Sequence, residues 1–510
     1  MSSPGAINPL DTKGLTFRHL IILATLTFVT ILYSATVTIA NVALPDIRGA
    51  LSATQDQITW IVTANIVATA VATPLAGWLA GRFGVRRVIL VAILGFIVSS
   101  IMCGAATSLG ALVIYRIGQG AFGAPLVPVS QAYLLRVFPK HLHTSAMAIW
   151  GMGAILGPII APTFGGYLSE LYGWRWVFFM IVPFGIAAFL SVSVVITEKT
   201  ELTRLRLDWI GFLTLSIAVT ALQFMLDRGE RNNWFDAWET IIEAGLAGLA
   251  FYIFFTHSLT AKNPFLNPRL LLDRNYSLGL TLVLLFGMLN FTPMVMIPPL
   301  LQDLQGYPQS VVGLLLATRG LGTLVAFTTM FFASRVDPRI PIVIGFIMQG
   351  VAGLAMAQFD VNVTTFDVAW TSALQGLGVG FIWVPMAVVT FATLDPVQIP
   401  QASAVFHLLR NIGSSVFISM SVAIMLRGTK VNYAEISEHV SSYNEALRLP
   451  FVMGHWSTDS LSGLAALSGE IQRQAMMIGY VNSFYFFAFT SLASVPLVFF
   501  LRRPAKSPAT

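Results

Sequence analysis

Fourteen separate runs of roughly 20 apolar residues, joined by short polar connections, constrain this chain more than any other feature. A helix rises about 1.5 Å per residue, so each run is long enough to cross the hydrocarbon core of a bilayer. The runs begin near Leu20, Ile58, Val88, Ala111, Thr144, Trp174, Trp209, Ala237, Ser277, Val311, Ile342, Val368, Ser403 and Tyr480. Only 10% of residues are charged, against about 25% in soluble domains. The chain therefore reads as an all-α polytopic membrane protein.

The first run, Leu20 to Leu44, follows Lys13 and Arg18. It exceeds the roughly 7–15 residues of a signal-peptide core, so it reads as an uncleaved span. The single cysteine, Cys103, excludes an intramolecular disulfide framework. The net charge of +6 is scattered through short loops, which fits orientation against anionic lipid and not a nucleic-acid partner. With both termini cytoplasmic, the inner loops hold Arg82, Arg86, Arg87, Arg136, Lys140, Lys199, Arg204, Arg206, Lys262, Arg269, Arg274, Arg335 and Arg339. The short outer loops hold only Arg48, Arg175, Arg228 and Arg231. The excess predicts that both ends lie on the cytoplasmic side.

A weak internal repeat divides the chain. The segment Ala80 to Arg86 is echoed by Ala333 to Arg339, Asp46 to Gly49 by Asp303 to Gly306, and Gln119-Gly120 by Gln375-Gly376. Three echoes in one order predict two homologous six-helix halves, 1–196 and 258–510, around an inserted pair at 197–257. An outer loop is expected at 428–479, with helix-like spacing from Asp459 to Met477. That helix suits a surface-packed element or a contact with an adaptor or a second copy.

Within the fifth run, Gly153, Gly157, Ala161 and Gly165 recur every four residues. Small residues at that spacing let another helix backbone approach closely in lipid. Pro158 and Pro162 remove backbone donors and predict a bent helix whose freed carbonyls face protein or a wet cavity. Together with Gly166 this stretch resembles the fifth-helix antiporter motif of the major facilitator superfamily. Within it, the match is to the fourteen-span drug:proton antiporters of the EmrB/QacA type, with Ala161 where glycine is common. The resemblance implies two six-helix halves plus two inserted helices, and export of amphipathic or hydrophobic compounds by alternating access. An importer, uniporter or lipid exporter on the same fold is the alternative. A membrane enzyme lacks support, since no HExxH, GxSxG, Walker loop or cysteine cluster occurs, and the intramembrane prolines and arginines argue against the remaining alternative, a non-transporting receptor or assembly protein. No cofactor or metal is expected. A periplasmic adaptor and an outer-membrane channel are the partners that the resemblance implies for a Gram-negative source.

Other motifs follow from the same resemblance. Gly77, Arg82, Gly84, Arg86 and Arg87 match the superfamily's signature gating loop, with Gly81 where an aspartate is usual. Arg116 with Gln119 and Gly120 matches a fourth-helix arginine linked to proton coupling. An arginine near mid-bilayer costs about 2.5–3.5 kcal/mol on insertion scales and needs a cavity or a partner. Thr36, in a segment running to Asn41 and Pro45, stands where the family has aspartate and cannot titrate. No aspartate or glutamate lies deep in either half, which leaves Arg116, Arg319, His407 and Arg410 with Asn41, Asn65, Gln119, Asn290, Gln349 and Gln375. His407 and Arg410 share a helix face and, with Arg116, are the candidates for proton coupling. Histidine is the side chain here suited to proton exchange near neutrality, and a hydrogen-bonded structural group is the alternative. The cavity candidates are Thr36, Asn41, Asn65, Gln119, Asn290 and Gln375.

Overall fold

The computed structural model describes residues 17–502, apart from 54, 198–206, 231, 263, 333–335, 396 and most of 442–459. Lys13, Lys199, Arg204, Arg206, Arg231, Arg335 and the first residues of the Asp459–Met477 stretch up to Asp459 thus lie outside the described residues, as do the side chains of Lys140, Asn41 and Pro162 and the surroundings of Gly166. Among the described residues every regular element is helical. The first half comprises α1 (Phe17–Val42), a short α2 (Leu44–Ala50), α3 (Gln55–Ala72), α4 (Leu75–Phe83) and α5 (Val85–Gly104), then α6 (Leu109–Gly123), α7 (Leu126–Val137), α8 (His143–Tyr172), α9 (Arg175–Phe179) and α10 (Ile181–Val195). The inserted pair is α11 (Trp209–Arg228) and α12 (Trp238–Thr260). The second half is α13 (Arg274–Pro299), α14 (Gln309–Phe332), α15 (Arg339–Met356), α16 (Thr365–Phe391), α17 (Ile399–Glu438) and α18 (Leu461–Val498).

Twelve spans, with α6–α7 and α9–α10 each counted as one, are long and apolar enough to cross a bilayer, and the bent pair α3–α4 makes a thirteenth. The 30-residue α8 supplies the fourteenth. Breaks fall where the sequence removes a donor. Pro74 separates α3 from α4, which meet at 53°, and Pro125 separates α6 from α7. The bend expected at Pro158 and Pro162 does not amount to a break, because α8 runs unbroken from His143 to Tyr172. Gly84 closes α4 and opens α5 at φ +86°, a conformation that favours glycine. An even number of spans puts the start of α1 and the end of α18 at one end of the bundle, the terminal end; the opposite one is the far end.

The two halves repeat one packing scheme. In the first, α1 packs on α8, α3 on α6 and α5 on α10; in the second, α13 packs on α17, α14 on α16 and α15 on α18. The glycine stripe of α8 makes the first of these seams. A Cβ on Gly153 would sit 2.6 Å from Thr27 Cγ2, one on Gly157 2.7 Å from both Ala35 N and Ile31 O, and one on Gly165 2.5 Å from Ile39 Cγ1. These contacts step along α1 one turn at a time. Trp150 Nε1 donates to Thr30 Oγ1 (2.8 Å) in the same seam. In the second half the equivalent seam is equally close, with Gly413 against the carbonyl of Leu284 and Gly287 against that of Arg410.

The inserted pair leans on both halves, since α11 packs on α3 and on α17. Thr63 Oγ1 of α3 donates to Asp227 (2.5 Å), and Ser419 Oγ of α17 donates to the carbonyl of the preceding Leu226 (2.8 Å). At the other end of α11 the carboxylate of Asp208 accepts from Gly211 N, Phe265 N and His257 Nε2. Burial raises its proton affinity, but these donors outweigh burial and hold the carboxyl below its ordinary range. The second helix of the pair ends at Thr260. The outer loop expected at 428–479 is shorter than the sequence suggests. Helix α17 continues to Glu438 and α18 begins at Leu461, which leaves 439–460 between them. Each of these helices is about 60 Å long, twice the hydrocarbon thickness. Their extensions stay paired beyond the membrane through Tyr433 Oη and Ser468 Oγ (2.9 Å) and the approach of Gly428 to Gly479.

The α1–α8 seam leaves no room for a side chain at position 157. Gly157→Leu is expected to insert but to lose about 1–3 kcal/mol of stability through overpacking and to abolish transport. Thermal unfolding in detergent and flux in vesicles check this, and normal flux from a correctly inserted variant would remove the seam from the working contacts.

Candidate functional site

The polar groups of the bundle interior fall into two matched networks and one bridge between the halves. In the first network Arg116 of α6, 1% exposed, donates from Nε to Ile61 O (3.3 Å) and from Nη1 to Gln119 Oε1 (2.6 Å). Gln119 Nε2 continues to Ser100 Oγ of α5 (2.8 Å). The guanidinium lies 5.9 Å from the centre of the Phe178 ring. Asn65 Nδ2 donates to Arg116 O (3.0 Å), and Thr69 Oγ1 to Gly120 O (3.3 Å). Gly120 is glycine because Asn65 O occupies the space of a Cβ.

The second network repeats this wiring with the arginine moved. Thr323 Oγ1 donates to Gly376 O (2.9 Å) as Thr69 does to Gly120 O, and the carbonyl of Arg319 occupies the space beside Gly376 that Asn65 O occupies beside Gly120. Asn65 and Arg319 are thus structural counterparts. Arg319 donates to Gln375 Oε1, to Met294 Sδ (2.8 Å) and to both oxygens of Asn290 (2.6 Å each). Gln375 Nε2 continues to Gln349 Oε1 of α15 (3.1 Å), as Gln119 does to Ser100 of α5. One latch joins the second and fourth spans of each half, and an arginine–glutamine pair pins it from opposite sides.

The bridge lies at the terminal-end side of these networks. His407 Nε2 of α17 is 2.8 Å from Gln131 Oε1 of α7, and Ser403 Oγ donates to the same oxygen (2.8 Å) and approaches Pro128 O (3.1 Å). Both His407 (2% exposed) and Gln131 (0%) are buried. The amide oxygen can only accept, so Nε2 carries the proton and Nδ1, which has no partner, is the bare nitrogen. Nearby, the Gln401 backbone fills the space where Gly77 would carry a Cβ (2.6 Å). On the other side of the bundle Ser145 Oγ donates to Phe331 O (3.3 Å), and Phe327 and Trp383 close on Gly151 (3.1 and 3.4 Å). Among the described residues, the hydrogen bonds and close glycine contacts between the two halves all lie at the terminal end or at mid-depth. The halves are locked there, and no such contact joins them at the far end.

The remaining expected residues find other places. Asn65, Gln119 and Gln375 are buried and hydrogen-bonded within the helix packing. Thr36 is buried and donates to its own helix at Leu32 O (2.8 Å). Asn290 is half-buried beside Arg319. Arg410 contacts Asn411 and lies over Trp383 (5.4 Å). In the gating loop Gly77 meets the second half, Gly84 makes the turn, Arg86 Nη2 donates to Ser193 O (2.7 Å), and Arg82 and Arg87 are exposed. Gln131 escaped the sequence reading. The polar pair Ser130-Gln131 inside the apolar stretch Leu126 to Leu135 was the signal for it.

The family profile of the Major Facilitator Superfamily matches residues 26–418. The chain belongs to that superfamily. Multidrug export protein EmrB of Haemophilus influenzae is 33% identical over 92% of both chains. The EmrB of Escherichia coli (strain K12) is 32% identical over 95% of both. Fatty acid resistance protein FarB of Neisseria gonorrhoeae is 30% identical over 92% of this chain and 93% of its own. Two solved structures share the fold. The proton:xylose symporter XylE has a TM-score of 0.62 at 12% identity, covering 95% of this chain and 96% of its own. The human organic anion transporter MFSD10 has the same score and identity, covering 95% and 100%. The superfamily profile ends before the far extensions of α17 and α18 begin.

Arg116→Ala would leave the buried acceptors at Ile61 and Gln119 unpaired, at about 1–3 kcal/mol each. A marked fall in unfolding temperature is expected, with transport falling further still. Wild-type flux in that variant would place Arg116 outside the transport cycle.

Proposed function

We propose that this chain exports amphipathic or hydrophobic compounds across the inner or plasma membrane by alternating access, in exchange for protons. The observation that carries the reading is the lock: among the described residues the two halves are held together from the terminal end to mid-depth and not at the far end, around a buried histidine. Relatives named for multidrug export, 32–33% identical over nearly their whole length, support the direction and the substrate breadth. In this reading residues 1–196 and 258–510 are the rocking halves, with the pair between them leaning on both. The excess of arginine and lysine at the terminal end makes that end cytoplasmic, so this conformation is closed to the inside.

His407 is the proton carrier in this scheme. Among the described residues no aspartate or glutamate is buried; the buried ionisable side chains other than tyrosine and Cys103 are His19, Arg116 and His407. A proton arriving from the open side adds to Nδ1, where it creates a charge without a partner. That destabilises the Gln131–Ser403–His407 bridge, and the inner end parts. Proton loss to the cytoplasm restores the neutral ring and lets the bridge re-form around exported substrate. The Gly77–Arg87 loop, at the inner ends of α4 and α5, limits how far those ends travel. A periplasmic adaptor, with an outer-membrane channel beyond it, docks on the paired extensions of α17 and α18.

Two measurements test the scheme. In proteoliposomes with an imposed pH gradient, His407→Gln keeps a hydrogen-bonding side chain but cannot titrate, so it is expected to bind substrate and lose pH-driven flux. His407→Ala is expected to lose both the coupling and the bridge. A glutamine variant that matches wild type would make His407 structural. Shortening 439–460 should spare flux in vesicles yet reduce drug resistance in cells, and unchanged resistance would remove the adaptor.

A further inference from the structure

Three arginines sit at mid-depth in the bundle, and they differ in how fully they are used. Arg116 and Arg319 are tied into the two networks, each by at least one acceptor from a neighbouring helix. Arg410 is not. Its Nε and Nη2 reach only Oδ1 of the adjacent Asn411, at 3.4 and 3.1 Å, and Nη1 has no partner among the described residues. The side chain is half-buried and stands one turn beyond His407 toward the far end. A cation at this depth needs a counter-charge or a set of acceptors, and no buried carboxylate is described in either half.

The walls beside it are aromatic. The Trp383 ring lies 5.4 Å from the guanidinium and packs against Phe286 (5.3 Å) and Phe406 (5.6 Å). Tyr33 of the first half lies within electrostatic reach of Arg410. An under-satisfied guanidinium over an indole, between the two halves and past the lock, has the chemistry to take an acidic group and the apolar body attached to it.

We infer that Arg410 and Trp383 form the substrate anchor and that the preferred substrates are amphipathic organic anions, with a carboxylate or sulfonate on Arg410 and an aromatic or apolar body against Trp383. This rests on the exporter reading above and narrows it, since nothing in that reading fixes the sign of the substrate's charge. It also explains how the cation is tolerated at mid-depth: the missing counter-charge arrives with the cargo.

The test is equilibrium binding to the purified full chain in detergent, which is independent of flux. The probes are anilinonaphthalenesulfonate and phenylnaphthylamine, two fluorescent compounds of similar body that differ by the sulfonate. Wild type is expected to prefer the sulfonate by about tenfold or more, the worth of one charge-assisted contact. Arg410→Gln should remove that preference while leaving the neutral amine within about twofold of wild type, and Arg410→Lys should keep part of it. Tetraphenylphosphonium should not displace the sulfonate from wild type. Equal affinity of wild type for the two dyes, displacement by the cation, or an unchanged preference in Arg410→Gln would each overturn the inference, and the wild-type comparisons hold even if the variant does not fold. If the preference is found but no dye moves in vesicles under any gradient, the exporter reading fails and the anion anchor stands.

Discussion

A membrane offers no water to backbone or charge, and the architecture of this protein follows from that shortage. Helices satisfy their own backbones, so specificity between them has to come from close approach and from a few polar side chains. Both devices appear where the spans must stay together. Gly157 brings α8 onto the backbone of α1, Gly413 brings α17 onto α13, and threonines 69 and 323 latch onto carbonyls that a glycine leaves open. Within a half the contacts are backbone to backbone and rigid. Between the halves the Gln401 backbone closes on Gly77, and the other contacts run through the side chains of Gln131, Ser403, His407 and Ser145 and through apolar groups, which can be released without breaking a helix.

The duplicated wiring shows how one scaffold can carry different chemistry in its two copies. The threonine-to-carbonyl latch and the glutamine that extends it to the third span are present twice, yet the arginine is on α6 in one half and on α14 in the other. Asn65 and Arg319 occupy the same structural position. Either placement pins the second span to the fourth, so a single arginine per half suffices and the counterpart position is free to vary. Arg410 belongs to neither copy of this wiring, which is why its donors remain available.

Much of the fold was legible because apolar length and small-residue spacing are local signals. Thirteen of the fourteen span starts lie within a few residues of their expected places. The exception, α18, begins at Leu461 and not near Tyr480, because its first turns run beyond the hydrocarbon and need no apolar run. The glycine stripe named its own function, since nothing but a neighbouring backbone explains small residues at every turn. The bridge was only half legible. His407 stood out as an intramembrane histidine, but its partner Gln131 is far away in sequence, and no local rule pairs them. The roles of Asn65, Gln119 and Gln375 were also hidden, because a polar residue inside a span reads alike whether it lines a cavity or ties two helices together.

In the proposed cycle the two ends of the bundle open in opposition about the glycine seams. Distances between spin labels test it directly, in a chain whose single cysteine, buried Cys103, has been replaced. One pair, at His141 and Phe332, spans the halves at the terminal end; the other, at exposed Tyr167 and Leu314, spans them at the far end. On acidification with substrate present, the terminal-end distance is expected to lengthen as the far-end distance shortens. Two distances that stay fixed, or that change in the same sense, would contradict it.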